Sequence, residues 1–446
     1  MSTLTKEDIN GLVNLENGLV SRNVFVSDEV YAQELERLFA RAWLFVGHES
    51  QIPNPNDFFV SRMGEESVIM TRTRQGEIQV LLNTCMHRGM KVCRYDEGNT
   101  PVFSCPYHGW SYSTDGKLVS VPGELIGVPQ FATAYHGELQ KEQWGLVAVP
   151  KMFNYKGSIW ASWDEKAPDF LDYLGDMRAR VDTTFYEDLG IVAGVQKWRM
   201  PCNWKFAAEN FVGDFYHGTT THRSVDLVGI SPSGPGVDRH LARGDNIRVH
   251  FGFPGGHGAV GRLVRPGETM PYTPAYPNNP VAEEYFRRRW DERQEKLKDQ
   301  SLIHAGASTV FPNMSFGGVN SVAVWHPVGP HETEAWRWYF VDKDAPEEAM
   351  DVLRHYQLRY SGPGGLTEQD DMENWNYASY ASDGTLARRY PYNYAQGLNY
   401  ETPSADLQSM ATDVRSSEQN ARGMYRRWAQ FMSADSWDEL GQERQG

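Results

Sequence analysis

The sequence predicts an α+β protein of two domains, a small all-β domain over 42–163 and a larger α+β domain made of 1–41 and 164–446. Three observations predict it. Between 43 and 163 the apolar pattern is short and β-rich, with strand-like runs at 58–60, 67–73 and 78–83 cut by Gly, Pro, Asn and Asp. Beyond Trp163 it lengthens into helical periodicities interleaved with strand pairs. Finally, 446 residues are enough to bury more than one core.

Taken in order, residues 1–41 give a lead-in and one amphipathic helix. Ser27-Asp28 is its N-cap signal, and Tyr31, Leu35, Leu38, Phe39 and Ala42 recur at helical spacing. In the β domain, Met63-Gly64-Glu65-Glu66 and Arg74-Gln75-Gly76-Glu77 read as hairpin turns. The second domain opens with a strand over 190–200, followed by Cys202-Asn203-Trp204 and then a stretch from Lys205 whose first part is helical in pattern. The stretch 229–280, rich in Gly and Pro, reads as covering loops with short strands. A charged helix over 281–300 follows, then a hairpin of 321–325 with 334–342 across Gly329-Pro330, and a helix over 345–360. Thr367 and Asp370 are spaced like a capping box opening the next helix, and a packing helix covers 417–432.

Chemistry concentrates in two stretches. The first is Cys85-Met86-His87, seventeen residues, then Cys105-Pro106-Tyr107-His108. Each loop carries one Cys and one His. A Rieske [2Fe–2S] cluster needs this set, two thiolates on one iron and two imidazoles on the other. Structural zinc of Cys2His2 type is the rival, but zinc fingers pair Cys with Cys and His with His and add a short helix. Here the loops continue as Arg88-Gly89 and Gly109-Trp110.

The second stretch runs from Lys205 to His222. Its first part is helical in pattern, with Asn210 one turn before Asp214, and Asp214 and His217 at i,i+3. His217 and His222 lie five residues apart, which a straight helix turns away from each other. Gly218 offers a break that lets His222 turn back. Two His and a more distant carboxylate make the facial triad of mononuclear non-haem Fe(II), which keeps positions open for O2. The acids of Glu368-Gln369-Asp370-Asp371-Met372-Glu373 are candidates for the carboxylate. Position alone leaves open which turns inward, and all of them also suit the dipole at a helix start.

Composition narrows the classes further. A net charge of −15 argues against a nucleic-acid partner. No run of about eighteen apolar residues predicts a membrane span. The N-terminus lacks the apolar core of a signal peptide. With Cys85 and Cys105 claimed, Cys93 and Cys202 remain as buried free thiols, fitting a reducing cytoplasm. Neither a dinucleotide fingerprint nor a P-loop is present, so electrons are expected from another protein.

The motifs CMHRG, CPYHGW, NWKFAAENFVGD, EQDDMENW and RGMYRRWAQ resemble the large (α) subunit of naphthalene/biphenyl-type Rieske aromatic-ring-hydroxylating dioxygenases, essentially along the whole chain. The resemblance implies a Rieske domain and a helix-grip catalytic domain around an antiparallel sheet. Cys85 and Cys105 would bind the inner iron, and His87 and His108 the outer one. His217, His222 and Asp371 would bind the mononuclear iron. Asp214 would bridge a ligand His to the Rieske His of a neighbouring subunit, and Asn210 would lie close to the iron.

The resemblance also implies a small β subunit in an α3β3 hexamer, a ferredoxin, and an NAD(P)H-dependent ferredoxin reductase. The reaction would be O2-dependent cis-dihydroxylation of an aromatic hydrocarbon. Asn210, Phe211, Gly218, Ser361 and Thr367 would face the substrate. Ser361 and Thr367 stand where naphthalene-type relatives carry large aromatics, which points to a polycyclic substrate of three or more rings. The alternatives are a Rieske monooxygenase or demethylase, and a single-ring arene dioxygenase.

Overall fold

The computed structural model describes residues 4–442 except 126–134, 136–138, 187–188, 192–193, 229–247, 273–278, 305 and 318–319. The chain divides into two compact units, Ala40–Ala167 and Met1–Phe39 with Pro168–Gly446.

The smaller unit is built from short antiparallel strands: β1 (Leu44–His48), β2 (Asp57–Met63), β3 (Glu66–Arg72), β4 (Ile78–Leu82), β5 (Glu97–Asn99), β6 (Val102–Ser104), β7 (Ser111–Ser113), β8 (Leu118–Ser120), β9 (Lys151–Tyr155) and β10 (Ser158–Ser162). They form three sheets, ordered β4-β3-β2-β5, β8-β7-β6 and β9-β10-β1. Met63 pairs with Glu66 across the two-residue turn Gly64-Glu65, and Gly64 supplies the positive φ of 63° that such a turn demands. Phe58, Ile69, Leu81, Phe103, Trp110 and Tyr112 share one core with the buried Cys85 and Cys105. The thiols therefore sit in the rigid centre of the unit.

In the larger unit an eleven-stranded antiparallel sheet runs β11 (Leu189–Ile191), β19 (Glu332–Asp342), β18 (Ser321–Gly329), β17 (Met314–Gly317), β16 (Ala307–Val310), β14 (Gly258–Val264), β13 (Val249–Gly252), β21 (Met410–Thr412), β20 (Thr402–Pro403). Off this path, β12 (Gln196–Met200) pairs with β19 and β15 (Leu302–His304) with β14. The expected strand over 190–200 is thus two strands, with 192–193 outside the described residues. Of the expected loops over 229–280, 229–247 and 273–278 also lie outside them; the remainder supplies β13 and β14.

The helices of this unit include α1 (Asp28–Glu34), α2 (Trp204–Gly213), α3 (Pro280–Leu297), α4 (Glu347–Tyr360), α5 (Leu366–Ser382) and α6 (Gln419–Ser433). Local chemistry starts three of them. Ser27 Oγ accepts from Val30 N–H at 3.3 Å, Asn203 Oδ1 from Lys205 N–H at 3.1 Å, and Asn279 Oδ1 from Ala282 N–H at 3.0 Å. The capping box expected at Thr367 does not form. Gly365 holds the N-cap position, and the Thr367 hydroxyl donates back to Tyr360 O.

A buried charge locks α1, α2 and α6 together. Lys205 Nζ donates to Glu34 Oε1 at 2.6 Å, Trp428 Nε1 to the same oxygen at 2.6 Å, and Trp204 Nε1 to Glu34 Oε2 at 3.1 Å. No described helix is long and apolar enough to cross a membrane.

Candidate metal centres

The two cysteine–histidine loops close in the same way. Gly89 N–H donates to Cys85 O at 2.9 Å and Cys85 N–H to Met90 O at 2.8 Å; Gly109 N–H donates to Cys105 O at 2.9 Å and Cys105 N–H to Trp110 O at 2.8 Å. Both glycines are left-handed, with φ of 69° and 71°, and a Cβ on Gly109 would lie 2.6 Å from Pro122 Cγ. Between the loops the His87 and His108 rings are 4.5 Å apart, and His87 stacks on Trp110 at 4.9 Å. Tyr112 Oη lies 3.2 Å from Cys85 Sγ and accepts from Met86 N–H at 3.2 Å. Burial, then the neighbouring His108 and Arg88, hold His87 below the usual imidazole range, so it stays neutral and able to ligate. Burial pushes the Cys105 thiol up.

Nδ1 of His87 and Nδ1 of His108 are buried with no hydrogen-bond partner, a loss of roughly 1–3 kcal/mol for each unsatisfied group. A metal on each nitrogen would remove it. Donor atoms within 4.8 Å of one another come, among the described residues, from His217, His222 and Asp371; no three of Cys85, His87, Cys105 and His108 meet that distance. One tetrahedral ion with bonds of about 2.0–2.3 Å would hold its donors closer than that. Two pairs held farther apart suit a two-iron cluster and not a single zinc.

The second centre forms where α2 ends. Gly213, at φ 146°, closes the helix, and a Cβ there would lie 2.6 Å from Val260 Cγ2. Asp214 then caps the turn, its Oδ1 accepting from Tyr216 N–H at 2.9 Å and His217 N–H at 3.4 Å. A 3-10 turn over His217–Thr219 follows, with Thr221 N–H donating to His217 O at 2.9 Å. The reversal therefore begins at Gly213-Asp214, before the Gly218 break read from the sequence, and Asp214 meets His217 from a helix cap, not along a helix face.

The outcome is a compact triangle. His217 Nε2 and His222 Nε2 are 3.1 Å apart, and Asp371 Oδ1 lies 3.4 Å from the first and 3.3 Å from the second. Three donors on one octahedral face with bonds of about 2.1 Å lie about 3 Å apart, so the set fits a facial triad. Behind it, Asp214 Oδ2 lies 3.0 Å from His217 Nδ1. Burial pulls His217 down, but its bonds to Asp214 and Asp371 outweigh that and take it to about 10. Burial lifts Asp371 to about 6.

The structure also shows which acid meets the two histidines. Asp371 is buried, whereas Asp370 lies on the outer face of α5, 4.0 Å from His222 Nδ1, and accepts from Ser224 Oγ at 3.3 Å. Asp370 lines a groove of about 1150 Å³ with Met372, Tyr377 and Tyr380.

Of the expected substrate-facing residues, Gly218 sits in the 3-10 turn beside His217, and Asn210 and Phe211 are on the last turns of α2. The Phe211 ring packs on Trp325 at 5.3 Å. Ser361 and Thr367 are buried around the α4–α5 connection, Ser361 Oγ donating to Gln357 Oε1 at 3.2 Å. Sequence reasoning missed two groups. Glu209 Oε2 accepts from Tyr394 Oη at 2.8 Å and from Tyr425 Oη. Glu368 forms a buried pair with Arg337. An arginine inside the apolar run Trp336–Phe340 signals a buried acid partner, but sequence does not say which acid.

With fold and site in place, the comparisons define the class. Residues 42–131 match the Rieske [2Fe-2S] domain and 180–434 the ring hydroxylating alpha subunit catalytic domain. The chain is 39% identical to the biphenyl dioxygenase subunit alpha of Paraburkholderia xenovorans (strain LB400), covering 98% of this chain and 95% of that one. It is 37% identical to the benzene 1,2-dioxygenase subunit alpha of Pseudomonas putida, over 97% and 95% of the two chains. The solved structure of naphthalene 1,2-dioxygenase from Rhodococcus sp. bound to indole superposes with a TM-score of 0.80 at 34% identity, covering 97% and 98%.

The chain belongs to the ring-hydroxylating dioxygenase α-subunit family. It is an oxidoreductase of the Rieske class, whose cofactors are a [2Fe–2S] cluster and a mononuclear non-haem iron, and it uses O2.

Proposed function

We propose that this chain is the terminal oxygenase subunit that converts an aromatic hydrocarbon, O2, two electrons and two protons into a cis-dihydrodiol. Cys85 and Cys105 hold one iron of the cluster and His87 and His108 the other, while His217, His222 and Asp371 hold the mononuclear iron. When bound, the cluster supplies electrons singly and the ferrous site activates O2. The protein's own part is geometric. Asp214 fixes the His217 ring at 3.0 Å, and its half-exposed carboxylate suits contact with a Rieske histidine of a second copy. Asn210, Phe211 and Gly218 line the approach to the triad.

The observation that carries this reading is the coexistence, in one chain, of the matched Cys–His loops and a 3.1–3.4 Å triangle of two imidazoles and one carboxylate. A small β subunit, a ferredoxin and its NAD(P)H-dependent reductase are the partners, with α3β3 as the assembly. For the substrate we favour a polycyclic arene of three or more rings. Ser361 and Thr367 are small, and their hydroxyls are folded onto Gln357 and Tyr360. An aromatic side chain in either place would fill on the order of 150–250 Å² of surface. Metal and sulfide analysis with EPR of the reduced protein tests the cofactor assignment: about three irons and two sulfides per chain with a rhombic Rieske signal are expected, and zinc without sulfide overturns it.

A further inference from the structure

We propose that Arg337 is a positioning residue for the iron carboxylate, acting through Glu368 to fix the turn of α5 that presents Asp371. This rests on His217, His222 and Asp371 being the metal site.

Arg337 stands in the middle of β19, 1% exposed, and Glu368 on α5 is 2% exposed. Nη2 donates to both Glu368 oxygens at 2.6 Å, and Nη1 donates to Ser321 Oγ at 3.2 Å. The guanidinium also lies 5.5 Å from the centre of the Phe211 ring on α2. Gly317 leaves the space for it, since a Cβ there would lie 2.9 Å from Arg337 Nη1 and 3.5 Å from Phe211.

Glu368, Asp371 and Trp375 follow at i, i+3 and i+7, on one face of α5. Trp375 packs edge-on against Trp325 of β18 at 5.8 Å. The helix is thus held one turn before Asp371 by a buried ion pair and one turn after it by an indole. Its other buried residues are Thr367, Ser379 and Ser382, so Trp375 is the one large apolar anchor among them. An ordinary surface helix is placed by a broad apolar stripe. This one lacks it: besides Trp375, the contact of Trp198 Nε1 with Met372 Sδ at 3.2 Å and that of Arg22 with Ser382, the Arg337–Glu368 pair is the charged contact that holds the turn carrying Asp371 to the sheet. A buried ion pair adds little net stability over an apolar pair of similar volume, whereas Nη2 held between both Glu368 oxygens, with Nη1 tied to Ser321, is a charge-assisted contact that selects one arrangement.

The test uses the full-length chain, stripped of mononuclear iron and reloaded with Fe(II). Affinity is read by chelator competition, coordination by near-infrared magnetic circular dichroism, and the Rieske EPR serves as an internal control for fold. Arg337→Met should raise the Fe(II) dissociation constant roughly tenfold and shift the ligand-field bands, with Arg337→Lys falling between it and the unmodified chain. The double variant Arg337→Met/Glu368→Met removes both buried charges and so keeps the fold; its dissociation constant should stay raised roughly fivefold with shifted bands. An unmodified affinity and spectrum in the double variant would reduce the pair to packing and overturn the proposal. Absence of any ferrous signal in the unmodified chain would instead overturn the metal site, and the positioning role with it.

Discussion

Glu209→Gln should remove one component of the pH dependence of stability in the larger unit. Glu209 precedes Asn210 on α2, and its Oε2 receives the hydroxyls of Tyr394 and Tyr425. Burial pushes its carboxyl up to about 8 from an ordinary 4.5; the tyrosine bonds oppose this, and Asp214 and Glu418 add to it. The folded chain then holds a proton that the unfolded chain has released between about 4.5 and about 8. Stability therefore falls as pH rises through that window and levels off above it.

One proton is worth about 1.4 kcal/mol per pH unit, so two units give at most about 2.7 kcal/mol. Glu209 keeps part of its surface in solvent, and screening brings the expected figure to about 1–2 kcal/mol. Glutamine imitates the protonated acid and has no such slope. Urea melts of both proteins at pH 6 and pH 8 should show the variant gaining about 1–2 kcal/mol on the unmodified chain at the higher pH. An identical stability difference at both pH values would refute the reasoning.

Three further outcomes follow from the geometry. Asp371→Ala should lose the mononuclear iron and turnover while the Rieske EPR is unchanged; if Asp371→Ala keeps its iron, the carboxylate ligand lies elsewhere on α5. Lys205→Met should destabilise the larger unit by about 3–5 kcal/mol in denaturant melts, because it strands the buried Glu34 carboxylate, and a loss below about 1 kcal/mol would contradict that. Ser361→Phe with Thr367→Trp should move specificity toward smaller arenes, read as kcat/KM across toluene, naphthalene and phenanthrene. Specificity of the unmodified chain peaking at toluene would sink the enlarged-pocket reading.

What the sequence disclosed depended on how local each feature is. The Cys85 and Cys105 loops are legible because candidate ligands and closing glycines lie within five residues of each other, and the structure adds that both close through the same two hydrogen bonds. His217 and His222 were legible as a pair, but the route joining them was not. Asp214 makes it by switching from helix residue to cap, which depends on Val260 and Asn420 crowding Gly213.

Asp371 could be narrowed to a group of acids and no further, since burial decides between Asp370 and Asp371. The Arg337–Glu368 pair joins residues 31 apart, a separation that periodicity does not span. At Thr367 the local cap signal was overridden. Gly365 folds so tightly onto Ser361 that a Cβ would lie 2.6 Å from its backbone nitrogen, and this delivers the Thr367 hydroxyl to Tyr360 O.

The most direct test of the central claim is isotopic. Turnover of naphthalene or phenanthrene under ¹⁸O2, with a ferredoxin and reductase supplying electrons, should give a cis-dihydrodiol in which both oxygens carry the label, as two-atom incorporation from one O2 requires. A product with a single labelled oxygen would contradict the dihydroxylation account and make the chain a monooxygenase.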